Sequence, residues 1–177
     1  MAKKMSAEEK LKLVKETPEL WIKNFVRIVD KKGNLIPFVL NEQQRDFMQK
    51  KGKQNIILKA RQLGFSTLTC ALALYHACTK PNTHCLLVSY SQDSASALFD
   101  KLKSMYDTIP SAVKPQLYAK NKKELAMKNG SKVICSTAGM KDIGRGMTIT
   151  FCHLSEFAFW RDNADSLLLG LEQAMTP

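Results

Sequence analysis

The sequence predicts an α/β fold in which a parallel sheet is linked by crossover helices, and three observations predict it. A short apolar run, Asn55 to Leu58, is followed by a glycine-containing loop and then a helix-forming stretch from about Ser66 to Cys78. The same order recurs with an apolar run at Cys85 to Tyr90 and a helical pattern at Gln92 to Thr108. A third apolar run, Ile149 to Leu154, leads into an acidic residue and a last helix from about Asp162 to Ala174. Strand, loop and helix in repetition favour a sheet covered by helices.

The elements before and between these units follow from local chemistry. Ser6 with Glu9 makes a capping box for a helix over about 7 to 16, and Thr17-Pro18 starts a second helix to about Val29. Together they predict an N-terminal helical arm over residues 1–34, ahead of a core over 35–177. Residues 30–37 read as a turn and a short extended link, after which Asn41 caps a helix carrying Gln43, Gln44, Arg45 and Phe47. A β-hairpin interrupts the α/β order, because Glu124 to Lys128 and Lys132 to Ser136 flank Asn129-Gly130, a signal for a type I′ turn.

Composition narrows the class of function. The chain has 177 residues, enough for one ordinary domain, and its 27 Lys plus Arg against 16 Asp plus Glu give a net charge of +11. Such an excess favours polyanionic partners, nucleic acid or nucleotides, with a merely solvated basic face as the alternative. It is concentrated in 101–132, where eight lysines face only Asp107 and Glu124. The five cysteines form no C-x-x-C pair and sit mostly in apolar runs, which argues against structural zinc and for a reducing, cytoplasmic setting. No apolar stretch approaches the roughly 20 residues of a membrane span.

The loop Lys59-Ala60-Arg61-Gln62-Leu63-Gly64-Phe65-Ser66-Thr67 lies between strand and helix, where backbone N–H groups and the helix dipole favour a phosphate. Against G-x-x-x-x-G-K-[ST], Gly64 and Ser66 match, Lys59 takes the first glycine position, and Phe65 stands where lysine is expected. Lys59 and Arg61 can supply cations, Ser66 a hydroxyl for Mg²⁺, and Gly64 the flexibility. The fold expected is therefore of the P-loop NTPase type, binding ATP with Mg²⁺; the alternative for this segment is an ordinary strand-to-helix turn. ATP hydrolysis also needs a carboxylate that polarises water, at the end of a buried strand. Glu156 stands there, with Ser155 in the place of a metal-binding aspartate. A carboxylate that merely starts a helix is the other reading of Glu156.

Four blocks in order, Leu40 to Asp46, Ala60 to Gly64, Gly144-Arg145-Gly146 and Ser155 to Phe159, resemble the ATPase domain of phage large terminase subunits over about residues 35–177. The resemblance implies that Gln44 reads adenine and that Arg61 acts in cis on the transferred phosphoryl group. It implies a DNA-packaging motor that works on double-stranded DNA in the host cytoplasm, in a ring of identical subunits with a portal protein and a small terminase subunit. Arg145 matches a family feature without an assigned role. The nuclease half of such subunits has no counterpart in this sequence, so a fragment whose sheet ends on an open edge is expected. A helicase-like DNA-dependent ATPase and a non-catalytic nucleotide-binding fragment are the competing readings.

Overall fold

The computed structural model describes residues 6–58, 62–121, 123–140, 143, 146–160 and 164–175. Helix α1 (Ala7–Glu16) is capped by the predicted Ser6–Glu9 box and buries nothing; α2 (Pro18–Phe25) buries Trp21 and Ile22. The second helix is shorter than expected. Its continuation forms β1 (Arg27–Val29), which pairs antiparallel with β2 (Leu35–Pro37), so the expected turn and link is a small hairpin. The β-branched Val26, Ile28 and Val29, with Asp30 tying the turn through Lys32 and Asn34, win over helix continuation. Helix α3 (Glu42–Lys50) follows, capped by Asn41.

Beyond α3 come α4 (Phe65–Thr79), β3 (His84–Ser89), α5 (Gln92–Thr108), β4 (Leu117–Lys120), β5 (Glu124–Met127), β6 (Lys132–Thr137), β7 (Phe151–Leu154) and α6 (Ala164–Ala174). The sheet order is β4-β5-β6-β3-β7. Strand β3 runs parallel to both β6 and β7, whereas β4 and β5 add an antiparallel extension, so the sheet is mixed rather than wholly parallel. The β5–β6 hairpin is present, but its turn is not type I′. Gly130 has φ +83° and Asn129 is not left-handed; Gly130 N–H donates to Met127 O and Met127 N–H to Ser131 O, the pattern of a type I turn closed by a left-handed glycine. Asn129 instead turns its side-chain amide to Ala77 O, anchoring the hairpin to α4.

Helices α4 and α5 cover one face of the sheet and α6 the other. The first core joins Trp21 and Val26 to α4, α5 and the inward residues of β3, β5 and β6. Helix α4 is apolar almost all round and buries ten residues from Phe65 to Ala77, as a helix sandwiched between sheet and α2 must. Trp21 packs edge-on against Tyr75, 5.6 Å between ring centres. The smaller second core places Leu167 and Leu171 of α6 over Leu86 and Val88 of β3. Burial pushes the thiols of Cys70, Cys78 and Cys152 up to about 12, so they remain protonated small hydrophobes, as the sequence suggested.

One predicted strand is missing. Residues 55–58 have no strand conformation, and Ile56 and Leu58 are fully exposed. At this edge of the sheet, just ahead of β7, Ile149 bridges in parallel to Met175 and donates its N–H to Ala174 O at 2.7 Å. Ala174 and Met175, leaving α6, thus lie beside Ile149, and no described strand pairs with 55–58. An apolar run without a neighbouring ladder has no backbone partners to hold it extended.

Candidate nucleotide site

Helix α4 runs antiparallel to the parallel strands. It enters β3 through the short link 80–83, Cys85 Sγ donates to Ala73 O at 3.5 Å, and the His76 ring lies 5.4 Å from Phe151 at the start of β7. Ser66 is ten residues before His76, about 15 Å up the helix. Ser155 is four residues past Phe151, about 13 Å along the strand. The start of α4 and the end of β7 therefore lie at the same height, at the carboxyl edge of the sheet, where open α/β sheets receive ligands.

The start of α4 is built differently from those of its neighbours. Ser6, Asn41 and Ser91 each cap their own helix with a side-chain oxygen, on Glu9, Gln44 and Ser94 N–H. Gly64, in the left-handed conformation at φ +72°, gives α4 no side-chain cap. The N–H groups of Phe65, Ser66 and Thr67 open the helix without an intrahelical acceptor, and the helix dipole adds partial positive charge there. Gln62 is also left-handed, at φ +65°. Two such residues within three make a tight turn that costs on the order of 1–3 kcal/mol for the non-glycine member.

Phe65 is buried in the core, its ring edge-on to Phe47 at 5.7 Å. That explains its departure from the lysine pattern: at this position the side chain points into the protein. The Ser66 and Thr67 side chains are half-buried. Lys59, Ala60 and Arg61 of the predicted loop, and Arg145, lie outside the described residues.

Gln44 is buried at 2 % exposure, with its amide bonded to backbone groups of the protein. Its Nε2 donates to Gly64 O at 2.9 Å and Leu63 O at 3.4 Å, and its Oε1 accepts from Asn41 N–H at 3.0 Å. Both Nε2 hydrogens therefore go to backbone carbonyls, while Oε1 keeps a second lone pair. Gln43, by contrast, faces an open cleft of about 790 Å³ between α3 and residues 51–58, walled by Phe47, Ile57, Leu63 and Phe65.

At the other side of the site, Ser155 is buried; its N–H donates to Val88 O and its carbonyl accepts from Trp160 Nε1 at 3.1 Å. Trp160 is a residue sequence reasoning passed over, and only its spacing five residues after Ser155 hinted at it. Glu156 is exposed and left-handed, φ +55° and ψ +41°, at the start of the 3₁₀ turn Phe157–Phe159. A carboxylate residue held in this conformation without glycine's freedom stores roughly 1–2 kcal/mol, and such strain gathers at functional sites. Among the described residues no group of three or more His, Cys, Asp or Glu gathers to hold a metal. Ser66 and Ser155 bring neutral hydroxyls, so the donor set suits Mg²⁺ only when nucleotide oxygens supply most of its ligands.

Comparison with known proteins agrees with this architecture. The family profile described as terminase large subunit, T4likevirus-type, N-terminal, matches residues 56–170. Among solved structures, the HK97 bacteriophage large terminase superposes with a TM-score of 0.73 at 19% identity, over 90% of this chain and 34% of that one. This chain thus spans about a third of that protein's length. No curated protein sequence matches it. With more than half of its residues inside the family profile, the chain belongs to the large terminase subunit family, in that family's N-terminal region.

Proposed function

We propose that this chain is the ATP-binding and hydrolysing motor domain of a viral DNA-packaging terminase. The observation that carries the reading is the uncapped, glycine-led start of α4 at the same sheet edge as the strained Glu156. The N–H groups of residues 65–67 receive nucleotide phosphates, with Ser66 and Thr67 alongside and Lys59 and Arg61 as the cations. Bound Mg²⁺ would neutralise phosphate charge there, held by Ser66, by Ser155 more weakly, and by the nucleotide itself. Glu156 orients and deprotonates the attacking water, and Arg61 stabilises charge on the transferred phosphoryl group. The nucleotide base enters the cleft beside Gln43.

The exposed Lys101, Lys103, Lys123 and Lys128 suit a polyanion, and double-stranded DNA is the partner we propose. A ring of copies of this chain, a portal protein and a small terminase subunit complete the proposed machine in the host cytoplasm. Among the described residues, no helix is long and apolar enough to cross a membrane. The reading is tested at Glu156. Glu156→Gln retains Mg·ATP binding and loses about 10²–10⁴-fold in hydrolysis when assayed with DNA. Glu156→Gly is equally inactive but gains roughly 1 kcal/mol in denaturant unfolding, because glycine adopts φ +55° freely. Unchanged turnover in Glu156→Gln removes the residue from the chemistry.

A second reading, a nucleotide-binding fragment without turnover, is favoured by the exposed Ile56 and Leu58 beside the loop. It is distinguished by the same assay, since wild type and Glu156→Gln would then hydrolyse ATP equally slowly.

A further inference from the structure

Asn41, Gln44 and Phe47 lie three residues apart on one face of α3, and that face meets three consecutive residues at the start of α4. Asn41 Nδ2 donates to Leu63 O at 3.2 Å, Gln44 Nε2 bridges Leu63 O and Gly64 O, and the Phe47 ring meets Phe65. The orientation of the Gln44 amide is forced. Asn41 N–H can only donate, so the Gln44 oxygen must face it; the two carbonyls can only accept, so the NH₂ must face them. A Cβ on Gly64 would come within 2.8 Å of Gln44 Nε2, so the glycine serves this close approach as well as its positive φ.

A peptide unit is planar and trans, so fixing a carbonyl on one side fixes the following N–H on the opposite side. The Gly64 carbonyl is held jointly by Gln44 and by Leu68 N–H at 3.0 Å, the first bond of α4, and drawing it and the Leu63 carbonyl toward Gln44 aims the N–H groups of Gly64 and Phe65 away from that side chain, out of the turn. Successive N–H groups presented in this way form an anion-binding concavity. We infer that Gln44 is a positioning residue for the phosphate turn, acting on the backbone of Leu63 and Gly64 rather than on a nucleotide base. The inference rests on the phosphate-site reading above and differs from the base-reading role that the family resemblance implies. Its consequence is that Gln44 supports every phosphate ligand equally, whatever base is attached.

The test compares Gln44→Glu, Gln44→Ala and a control at an exposed residue of the same helix outside the cleft, Gln49→Ala, in this chain. Glutamate keeps the acceptor for Asn41 N–H and loses the donor to the two carbonyls. Affinities are measured calorimetrically for Mg·ATP, Mg·GTP and magnesium inorganic triphosphate, and amide hydrogen exchange is followed without ligand. Loss of the donor is expected to weaken all three ligands by one common factor, about tenfold. Exchange at Leu68, whose N–H donates to Gly64 O, accelerates while Leu86 and Leu87 in β3 stay protected, and Gln49→Ala leaves exchange at Leu68 and the affinity for inorganic triphosphate unchanged. Selective loss of ATP over inorganic triphosphate in Gln44→Glu would overturn the inference in favour of base reading. Unchanged exchange at Leu68 would also overturn it, as would loss of protection in β3 in both Gln44 variants, which would make Gln44 a core residue. If the unaltered chain binds none of the three ligands, the phosphate-site reading falls, and the exchange comparison alone decides whether Gln44 sets the turn.

Discussion

Two strand–turn–helix units of this molecule begin from similar sequence and end differently. In the unit from β3 to α5, the strand lies between β6 and β7, His84–Ser89 is almost wholly buried, and Ser91 caps the helix with its own hydroxyl. In the unit from residue 55 to α4, Ile56 and Leu58 are exposed, no described strand pairs with the apolar run, and Gly64 leaves the helix start open. The first unit satisfies itself and holds the sheet together. The second leaves its backbone donors for something else, and the same apolar composition yields no strand without neighbours to pair with.

The largest expected effect tests the strand half of this comparison. Leu87→Ala in β3 removes a fully buried side chain and should cost about 2–5 kcal/mol in urea unfolding, whereas Leu58→Ala should stay within about 0.5 kcal/mol. A large cost at Leu58 would show that residues 55–58 are packed in solution.

A smaller effect concerns the face that joins the two units. His76 on α4 stacks against Phe151 of β7, and burial, followed by the charges of Lys80 and Lys51, pushes its imidazolium down to about 4. The folded protein therefore takes up this proton less readily than the unfolded chain, which titrates near the usual 6.5. Its stabilising share is complete above about pH 6.5 and is lost as pH falls toward 4, roughly 2–3 kcal/mol in all. Unfolding midpoints between pH 7 and 4.5 should show this slope in the wild type and a shallower one in His76→Phe.

The smallest effect separates the two helix starts. Ser91→Ala should cost about 1 kcal/mol as an ordinary lost cap. Ser66→Ala, at an open start with no cap to lose, should cost a few tenths of a kcal/mol in stability and appear instead as weaker Mg·nucleotide binding. Equal stability losses at the two positions would mean that α4 is capped in solution after all.

Much of this fold was legible because its signals are local. The capping box at Ser6, the cap at Asn41, the helix following Gly64, the Asn129-Gly130 turn and the acidic residue after Leu154 all declare themselves within a few residues. What escaped depends on distant partners. The strand expected at 55–58 requires a neighbour, and no described strand pairs with it. Strand β4 was missed because Leu117–Lys120 is short, lysine-ended and defined only by pairing with β5. At the site, the sequence located Gly64, Ser66, Ser155 and Glu156 on adjoining element ends. It could not reveal that Gln44 turns inward to two backbone carbonyls, since Gln43 and Gln44 are chemically identical and only the phase of α3 distinguishes them.

The central claim is that the open start of α4 is the phosphate site, and amide chemical shifts of a ¹⁵N-labelled chain titrated with Mg·ATP test it most directly. The account predicts the largest shifts at Gly64, Phe65, Ser66 and Thr67, with Ser91 to Ser94 at the otherwise similar α5 start unmoved. Shifts centred on the α5 start, or none at residues 64–67 at saturating nucleotide, would contradict it.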